Sequence, residues 1–245
     1  FMPPEDIRKA IDQGRQPPLS RYPKAAAYIR WGERRDYPAR PTCASRTWWW
    51  DLGERPIGQI CCMMSLNERH PFWFNSVAFC DARLYDISGI NFKYVSMIAG
   101  QMNTTIMPLQ IELGGRVNLG EGALDFKVYE TAKLYLINFE KFQETHKQRL
   151  ESAFSEISGR PVRSVFEELG FELCRGRKCA HPEHPYEHVR PEALTLEQVQ
   201  AASPDRFELD RVVFDVLGLT DDERREVYRA VAQLVKDRLV KARSV

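Results

Sequence analysis

The sequence has 245 residues, with 35 basic and 34 acidic side chains, a formal net charge of +1 and 43% hydrophobic residues. This composition excludes wholesale disorder, collagen-like sequence and a coiled coil, and the length suits one large domain or two modest ones. No apolar run reaches the roughly 18 residues of a membrane span, and no basic-then-apolar leader opens the chain, so we expect a cytoplasmic protein.

The chain opens with predicted helices and continues with predicted strands. Helical patterns cover residues 5–13 and 22–35. Aromatic and β-branched stretches separated by Gly, Pro, Asn and Asp predict short strands at residues 48–52, 57–64, 72–79 and 83–87. Apolar residues at three-to-four spacing then predict one buried helix over residues 93–113, which Gly114 and Gly115 end.

A glycine-rich turn segment, GGRVNLGEG, occupies residues 114–122 and leads into the second half of the chain. Residues 124–128 and 134–136 are predicted to return to the sheet. Helices are then predicted at residues 139–157, 163–169, 205–217 and 221–239. Thr220 and Glu223 form a predicted capping box at the start of the last helix.

The order of helices, strands and helices favours an α+β fold over alternating βαβ winding. We expect a mixed or antiparallel sheet with flanking helices and a C-terminal helical segment. The predicted divisions are a helical lead-in or linker over residues 1–36, an α+β core over 37–137, and a helical C-terminal region over 138–245. An irregular loop that carries cysteines and histidines is predicted within the last region, at residues 171–203.

The basic residues are concentrated near the start of the chain. Residues 1–60 carry eleven Lys and Arg against seven Asp and Glu, whereas residues 191–245 carry nine against eleven. A net charge near zero argues against a nucleic-acid-binding protein, but a polyanion responds to the local potential rather than to the net charge. The basic front therefore keeps nucleic acid as a candidate ligand.

Arginines and aromatic residues alternate within this basic front. They are Arg30, Arg34, Arg35, Arg40 and Arg46, with Trp31, Tyr37, Trp48, Trp49 and Trp50. Arginine binds phosphates and guanine edges through two parallel hydrogen bonds, and aromatic faces stack on bases. The alternative is a solvated helix surface beside core tryptophans, and at least one of the three consecutive tryptophans is expected in the core.

A second cluster combines cysteines and histidines. Without a secretory leader, the six cysteines of the chain are expected to be reduced thiols. Thiolates and imidazoles suit zinc, so a structural metal could be held by Cys174, Cys179, His181 and His184. The spacing matches no standard zinc finger, and a loop with free thiols is the alternative. A catalytic metal is less favoured because no acidic partner is seen in a predicted core.

Other catalytic motifs are missing from the sequence. The segment 114–122 lacks the spacing and the Lys-Ser/Thr pair of a P-loop, and a predicted helix precedes it where a dinucleotide fingerprint needs a strand. It is therefore interpreted as a tight turn. No Gly-x-Ser-x-Gly nucleophile motif is present, and His70 and His146 are isolated in the sequence.

Several stretches together carry a family resemblance. They are AYIRWGERRDYPARPTCASRTWWWDLG (27–53), FCDARLYDI (79–87), MNTTIMPLQIELGGRVNLGEGALDFKVYE (102–130) and FDVLGLTDDERREVYRAVAQLVKDRLVKARS (214–244). They resemble the target-recognition region of adenine-specific (N6) DNA methyltransferases of restriction–modification systems, of the TaqI type and the fused type IIG group. The block at 102–130 is the most specific of them. The resemblance covers most of the chain and is weakest at 171–203.

The catalytic motifs of that family do not occur in this chain. Its methyl-transfer motif is Asn or Asp followed by Pro-Pro and an aromatic residue, and its S-adenosylmethionine loop is glycine-rich and follows a strand. The resemblance therefore implies a fragment that binds duplex DNA and positions an adenine for methylation. Catalysis and S-adenosylmethionine would belong to an N-terminal catalytic domain of the same parent chain, and a first residue of Phe1 rather than Met fits a fragment.

The resemblance also implies where DNA contacts lie. The candidates are Arg40, Arg46 and Trp48 near the domain entry, Arg83 and Tyr85 on a strand, and Arg116, Asn118 and Lys127 around the glycine-rich segment. Of these, Arg116 and Lys127 suit phosphates and Asn118 suits an adenine edge. Two other classes of function stay open: a protein-interaction or structural module that docks through its C-terminal helices, and a small zinc-binding protein.

Overall fold

The computed structural model describes residues 3–53, 56–117, 122–173, 185–186 and 188–243. The chain divides into two compact units, Phe1–Pro56 and Ile57–Val245. None of the helices in the described ranges combines the length and the apolar character that a membrane crossing requires. The prediction of an α+β fold is confirmed, because helices form most of the regular structure and the strands form small antiparallel sheets.

The first unit is helical. Its helices are α1 (Glu5–Asp12), α2 (Pro23–Glu33) and α3 (Pro41–Ala44), with 3₁₀ turns at Leu19–Arg21 and Tyr37–Ala39. Within the described ranges, the buried core of this unit is formed by Ile7, Ile29 and Trp50. An ion pair between Arg8 and Asp51, 2.6 Å apart, joins α1 to the segment that carries Trp50. The unit is thus held by a small apolar cluster with a largely buried ion pair beside it.

The prediction of a strand at residues 48–52 is wrong. The tryptophans form a turn, in which Trp50 is buried in the core and Trp49 packs on α2. A Cβ atom on Gly32 would lie 2.2 Å from the Trp49 ring, so this glycine lets the indole lie directly on the helix backbone. Aromatic composition favours strands because the rings fit a half-buried pleated surface. Here helices supply the surface that the rings cover.

The second unit contains two small antiparallel sheets. In the first, β1 (Ile60–Met63) lies between β3 (Phe72–Phe74) and β4 (Leu84–Ile87), and in the second, β2 (Ser65–Leu66) pairs with β5 (Leu124–Asp125). Cys62 is opposite Phe72 on one side and Tyr85 on the other. Side chains alternate across a strand, and those of Ile60 and Cys62 belong to the main core.

The helices of the second unit are α4 (Val95–Met102), α5 (Ile106–Gly114), α6 (Val128–Thr131), α7 (Glu144–Ser158), α8 (Val165–Glu168), α9 (Leu196–Ala202), α10 (Pro204–Leu217) and α11 (Asp221–Arg243). The main core joins the first sheet to α4, α7 and α10, and a second core lies among α8, α9, α10 and α11. The predicted capping box begins α11, where the Thr220 N–H donates to the Glu223 carboxylate at 2.8 Å.

The single helix predicted over residues 93–113 is interrupted at Asn103, which separates α4 from α5. The Asn103 side chain donates to the Phe72 carbonyl at 2.7 Å. The buried Asp210 carboxylate accepts from the N–H and the hydroxyl of Thr105, each at 2.6 Å. Side chains that bind backbone groups compete with helix continuation. The break therefore depends on partners that are distant in the sequence.

One of the two predicted returns to the sheet is confirmed. The return at residues 124–128 exists over Leu124–Asp125, whereas no strand forms at residues 134–136. The Tyr135 backbone pairs instead with the Gln110 side chain, accepting from its amide at 3.1 Å and donating to its oxygen at 2.8 Å. A side chain thus replaces the partner strand that the prediction assumed.

A helix, α9, lies within the region predicted to be irregular at residues 171–203. The Thr195 hydroxyl caps it by accepting from the Gln198 N–H at 3.2 Å. Val199 is completely buried in the second core. Capping and burial therefore specify a helix where the apolar pattern is too short to show one.

Candidate nucleic-acid interface

An isolated antiparallel bridge to Asp125 holds Arg116 after α5. The Arg116 N–H donates to the Asp125 carbonyl at 3.1 Å, and the Asp125 N–H donates to the Arg116 carbonyl at 2.9 Å. A Cβ atom on Gly115 would lie 2.3 Å from the Leu124 side chain, so a glycine is needed for this close approach. The glycine after α5 thus places Arg116 beside the residues that precede α6.

Arg116 is an exposed cation that protein groups hold in one orientation. Its side chain is 54% exposed, and its Nε lies 2.9 Å from Oε1 of Glu130. The other Glu130 oxygen accepts from the Lys127 N–H at 2.7 Å. The guanidinium carbon lies 5.4 Å from the centre of the Tyr129 ring. The largely buried Glu130 therefore orients the guanidinium, and within the described part of the chain its Nη atoms have no hydrogen-bond partner.

Lys127 is paired with the carboxylate of Asp125, and the charges of both residues affect the pKa of Tyr85. The Lys127 Nζ is 2.7 Å from Asp125 Oδ2, and this hydrogen bond raises the pKa of Lys127 above its usual value. Burial raises the pKa of Tyr85, while the nearby charge of Lys127 opposes the shift and that of Asp125 adds to it. Tyr85, Lys127 and the Arg116 backbone therefore converge on Asp125, although β4 is distant from the other two in the sequence.

Arg83 joins this region through backbone hydrogen bonds. Its carbonyl accepts from the Met64 N–H at 3.2 Å, and the Met64 carbonyl accepts from the Phe126 N–H at 3.0 Å. The Arg83 N–H is itself fixed by the Asp81 carboxylate at 2.8 Å, and the residue is exposed. We define the Asp125 surface as the region formed by Arg83, Tyr85, Arg116 and Lys127.

An open groove adjoins Arg116 and adds residues that the sequence patterns missed. Tyr129, Lys133, Tyr135 and Leu113 line it together with Arg116. Tyr135 is 82% exposed and Leu113 is 70% exposed. Exposed rings beside cations suit bases and phosphates. These residues were missed because an exposed aromatic residue has the same sequence signature as a core aromatic residue.

A buried ion network connects α5 to α11. Glu112 Oε1 lies 2.9 Å from His70 Nε2, and the Arg238 guanidinium donates to the Glu112 oxygens at 2.8 and 2.6 Å. Arg238 also donates to the carbonyls of Asn67, at 2.7 Å, and Gly122. The side chains of the three charged or titratable residues are at most 4% exposed. His70, isolated in the sequence, thus belongs to a network that also holds the end of the glycine-rich segment.

The network keeps Glu112 ionised. Burial by itself raises the pKa of Glu112, but the hydrogen bonds from His70 and Arg238 outweigh burial and hold the pKa below its usual value. A lowered pKa contributes stability above the unfolded pKa of the group, and that stability is lost as the pH falls through the folded value. The network therefore stabilises the segment beside the Asp125 surface at neutral pH.

In the first unit, the structure separates the core tryptophans from the arginines. Trp48 is half-buried, with its ring centre 5.8 Å from that of Trp50. Arg40 and Arg46 are exposed, and the Arg40 guanidinium carbon lies 4.1 Å from the centre of the Tyr37 ring. Within the described ranges neither arginine has a carboxylate partner. Both could therefore bind a phosphate without breaking an ion pair.

The other candidate residues are not described by the structure. Asn118 lies in the omitted range 118–121, and the proposed zinc ligands Cys174, Cys179, His181 and His184 all lie in 174–184. In the ranges that are described, no group of three or more His, Cys, Asp or Glu residues could hold a metal ion. The zinc site stays a prediction.

Comparison with known proteins adds no relative. No protein-family model, curated protein or solved structure matches the chain.

Proposed function

We propose that the chain binds duplex DNA as the target-recognition region of an adenine-specific N6 DNA methyltransferase of a restriction–modification system. Its partners are duplex DNA and an N-terminal catalytic domain of the same parent protein, which binds S-adenosylmethionine and transfers the methyl group. The chain and this catalytic domain act in the cytoplasm. The chain itself carries no methyl-transfer motif, so its part in the reaction is to bind DNA and position the target adenine.

The observation that carries the proposal is the convergence of separate segments on the Asp125 surface. Tyr85 and Lys127 lie near one carboxylate, and Arg116 is bonded to the same residue through its backbone. The Arg116 guanidinium is oriented before any ligand arrives. A preorganised arginine fork loses little conformational entropy when it binds a phosphate or a base edge.

The proposed mechanism separates positioning from chemistry. Flipping an adenine out of the duplex costs a few kcal/mol of unstacking. Phosphate contacts fix the register of the protein on the duplex, and base contacts select the sequence. Lys127 and Arg116 supply phosphate contacts beside Tyr85, and these contacts offset the cost of flipping.

Two measurements of DNA binding test the proposal, namely its salt dependence and its sequence preference. The full chain is titrated into a labelled pool of random-sequence duplexes, and the bound duplexes are recovered and sequenced. We expect the logarithm of affinity to fall linearly with the logarithm of salt concentration, with a slope of about −0.9 per neutralised phosphate. We also expect the recovered duplexes to share a site that contains adenine. Absence of salt-sensitive binding, or recovery of duplexes without a common site, would contradict the proposal.

A second test concerns the parent protein. The reading frame upstream of residue 1 is sequenced and translated. We expect it to encode an Asn-Pro-Pro-aromatic or Asp-Pro-Pro-aromatic motif and a glycine-rich loop that follows a strand. An upstream frame without either motif would remove the methyltransferase assignment, even if the chain binds duplex DNA.

A further inference from the structure

We propose that the first unit binds single-stranded DNA by stacking an unpaired base on Tyr28, with neighbouring arginines on the flanking phosphates. The residues of this site belong to the first unit, whereas those of the Asp125 surface belong to the second. The inference does not rest on the duplex recognition proposed above, since its ligand and its residues are different.

One stripe of α2 and its C-terminal turn carries the site. The stripe consists of four residues at intervals of four, three and four, namely Lys24, Tyr28, Trp31 and Arg35. Residues three and four apart are neighbours on a helix surface. The buried residues of α2 are different ones, namely Ala26, Ile29 and Gly32. The helix therefore has one apolar face in the core and one aromatic and basic face outside it.

The aromatic rings of this stripe form an open stack. The Tyr28 and Trp31 ring centres are 5.4 Å apart with 26° between their planes, and the Tyr37 ring meets Trp31 edge-on at 5.3 Å. The core of the first unit and the hydrophobic residues packed against it include Trp48, Trp49 and Trp50 but none of these three rings. Tyr28 is 54% exposed and ends the stack. A further planar group can therefore stack on Tyr28 without any change in the core.

The charge around the stack suits a polyanion. The Arg35 guanidinium carbon lies 4.9 Å from the centre of the Trp31 ring. Residues 30–35 contain three arginines, Arg30, Arg34 and Arg35, against one acid, Glu33. In the described ranges, Arg30, Arg34 and Arg35 have no carboxylate within ion-pair distance. Two cations of the Asp125 surface, Arg116 and Lys127, differ because each is paired with a carboxylate.

Single-stranded DNA is the ligand that uses both features. In a duplex, neighbouring bases cover each other's faces, whereas an unpaired base offers a face to an aromatic ring. Proteins that bind single strands combine a basic groove along the backbone with aromatic side chains on which bases stack, and such stacking tolerates any base. The stripe on α2 has the exposed ring and the unpaired cations side by side, so it fits this chemistry.

The experiment measures the binding of labelled oligo(dT), of about fifteen nucleotides, to the full chain by fluorescence anisotropy. We expect Tyr28→Ala to weaken binding by about 5- to 150-fold, the effect of losing one base–aromatic stack. Tyr28→Phe keeps the ring and should bind like the wild type. Arg35→Ala should weaken binding and reduce its salt dependence. Phe92→Ala, which removes an 82% exposed aromatic ring of the second unit, is the matched control and should have no effect.

Each outcome bears on the inference. Wild-type protein that binds no oligo(dT) at low salt overturns it, as does a Tyr28→Ala variant with unchanged affinity and wild-type circular dichroism. Loss of oligo(dT) binding in Arg116→Ala would also overturn it, because one site would then serve both ligands. If the chain fails to bind duplex DNA but binds oligo(dT) through Tyr28, this inference stands and the proposed function fails.

Discussion

At the scale of single residues, the candidate interface depends on acidic side chains that orient basic side chains. Glu130 fixes Arg116 while it accepts a backbone N–H, and Asp125 holds Lys127. A sequence shows which cations are present but not which are paired. Arg40, by contrast, lies against a tyrosine ring. The sequence makes both arginines candidates for DNA contacts, but their surroundings in the structure differ. Both remain candidates for phosphate or base contacts.

Replacement of Arg116 or Arg46 tests these assignments. We expect Arg116→Ala and Arg46→Ala each to weaken duplex binding by ~1–3 kcal/mol if the side chain reads a base. Arg225→Ala is the matched control, because the Arg225 side chain is 53% exposed and, like that of Arg116, lies 2.9 Å from a carboxylate. The measurement is the dissociation constant for a selected duplex at fixed salt. Unchanged affinity in both variants would show that the recognition face lies elsewhere.

Asp210 provides a second prediction at this scale. Burial raises the pKa of Asp210 to about 6, although the Thr105 hydrogen bonds and the Arg206 charge favour the ionised form. A raised pKa contributes stability below the unfolded value of 3.8, and this is lost as the pH rises through about 6. Between pH 4 and pH 8 we therefore expect wild type to lose roughly 2 kcal/mol relative to Asp210→Asn, which stays neutral. Urea unfolding of both proteins measures this, and parallel pH profiles would contradict it.

At the scale of elements, the contact between α5, α11 and the glycine-rich segment decides where the candidate residues lie. Gly122 has a φ of +72°, and a Cβ atom there would lie 2.9 Å from that of Ala242. Arg238 binds the Gly122 carbonyl and the Glu112 carboxylate together. Glycine thus permits the close approach, and the arginine fixes it. Arg116, bridged to Asp125, follows α5 almost directly.

Replacement of Arg238 tests this contact. Arg238→Met should reduce the free energy of unfolding by about 3–5 kcal/mol, because it leaves the buried Glu112 without its cation. Arg229→Met is the control on the same helix, where the pair with Glu226 is exposed, and should cost less than about 0.5 kcal/mol. The double variant Glu112→Leu with Arg238→Met should recover the part of the loss that comes from the unpaired carboxylate. Additive costs in a double-mutant cycle would show that the two residues do not act as a pair.

At the scale of the whole molecule, the two units differ in how much apolar surface they bury. Among the residues that the structure describes, the first unit has a core of three side chains, whereas the second has two larger cores that share α10. Small cores give marginal stability because they bury a smaller fraction of the unfolded surface. Four of the five tryptophans lie in the first unit, and the fifth is Trp73. Tryptophan fluorescence therefore reports mainly the first unit, and far-ultraviolet circular dichroism mainly the second.

We expect the two signals to report different unfolding transitions. Fluorescence should change at lower urea concentration than circular dichroism, because the smaller core is lost first. Trp73→Phe removes the tryptophan of the second unit and should leave the early fluorescence transition in place. Coincident transitions in the wild type and in this variant would show that the chain unfolds as one cooperative unit.

The sequence by itself determined the α+β class, most of the helices, the capping box at Thr220 and the residue types of the candidate interface. These follow from local signals, namely hydrophobic period, capping residues and breakers. The tertiary structure alone decided that Trp48–Trp50 form a turn on helices, that Asn103 interrupts a helix, and that Glu112, His70 and Arg238 share one network. Each of these depends on partners far away in the chain, and a periodic pattern holds no information about contacts between distant segments.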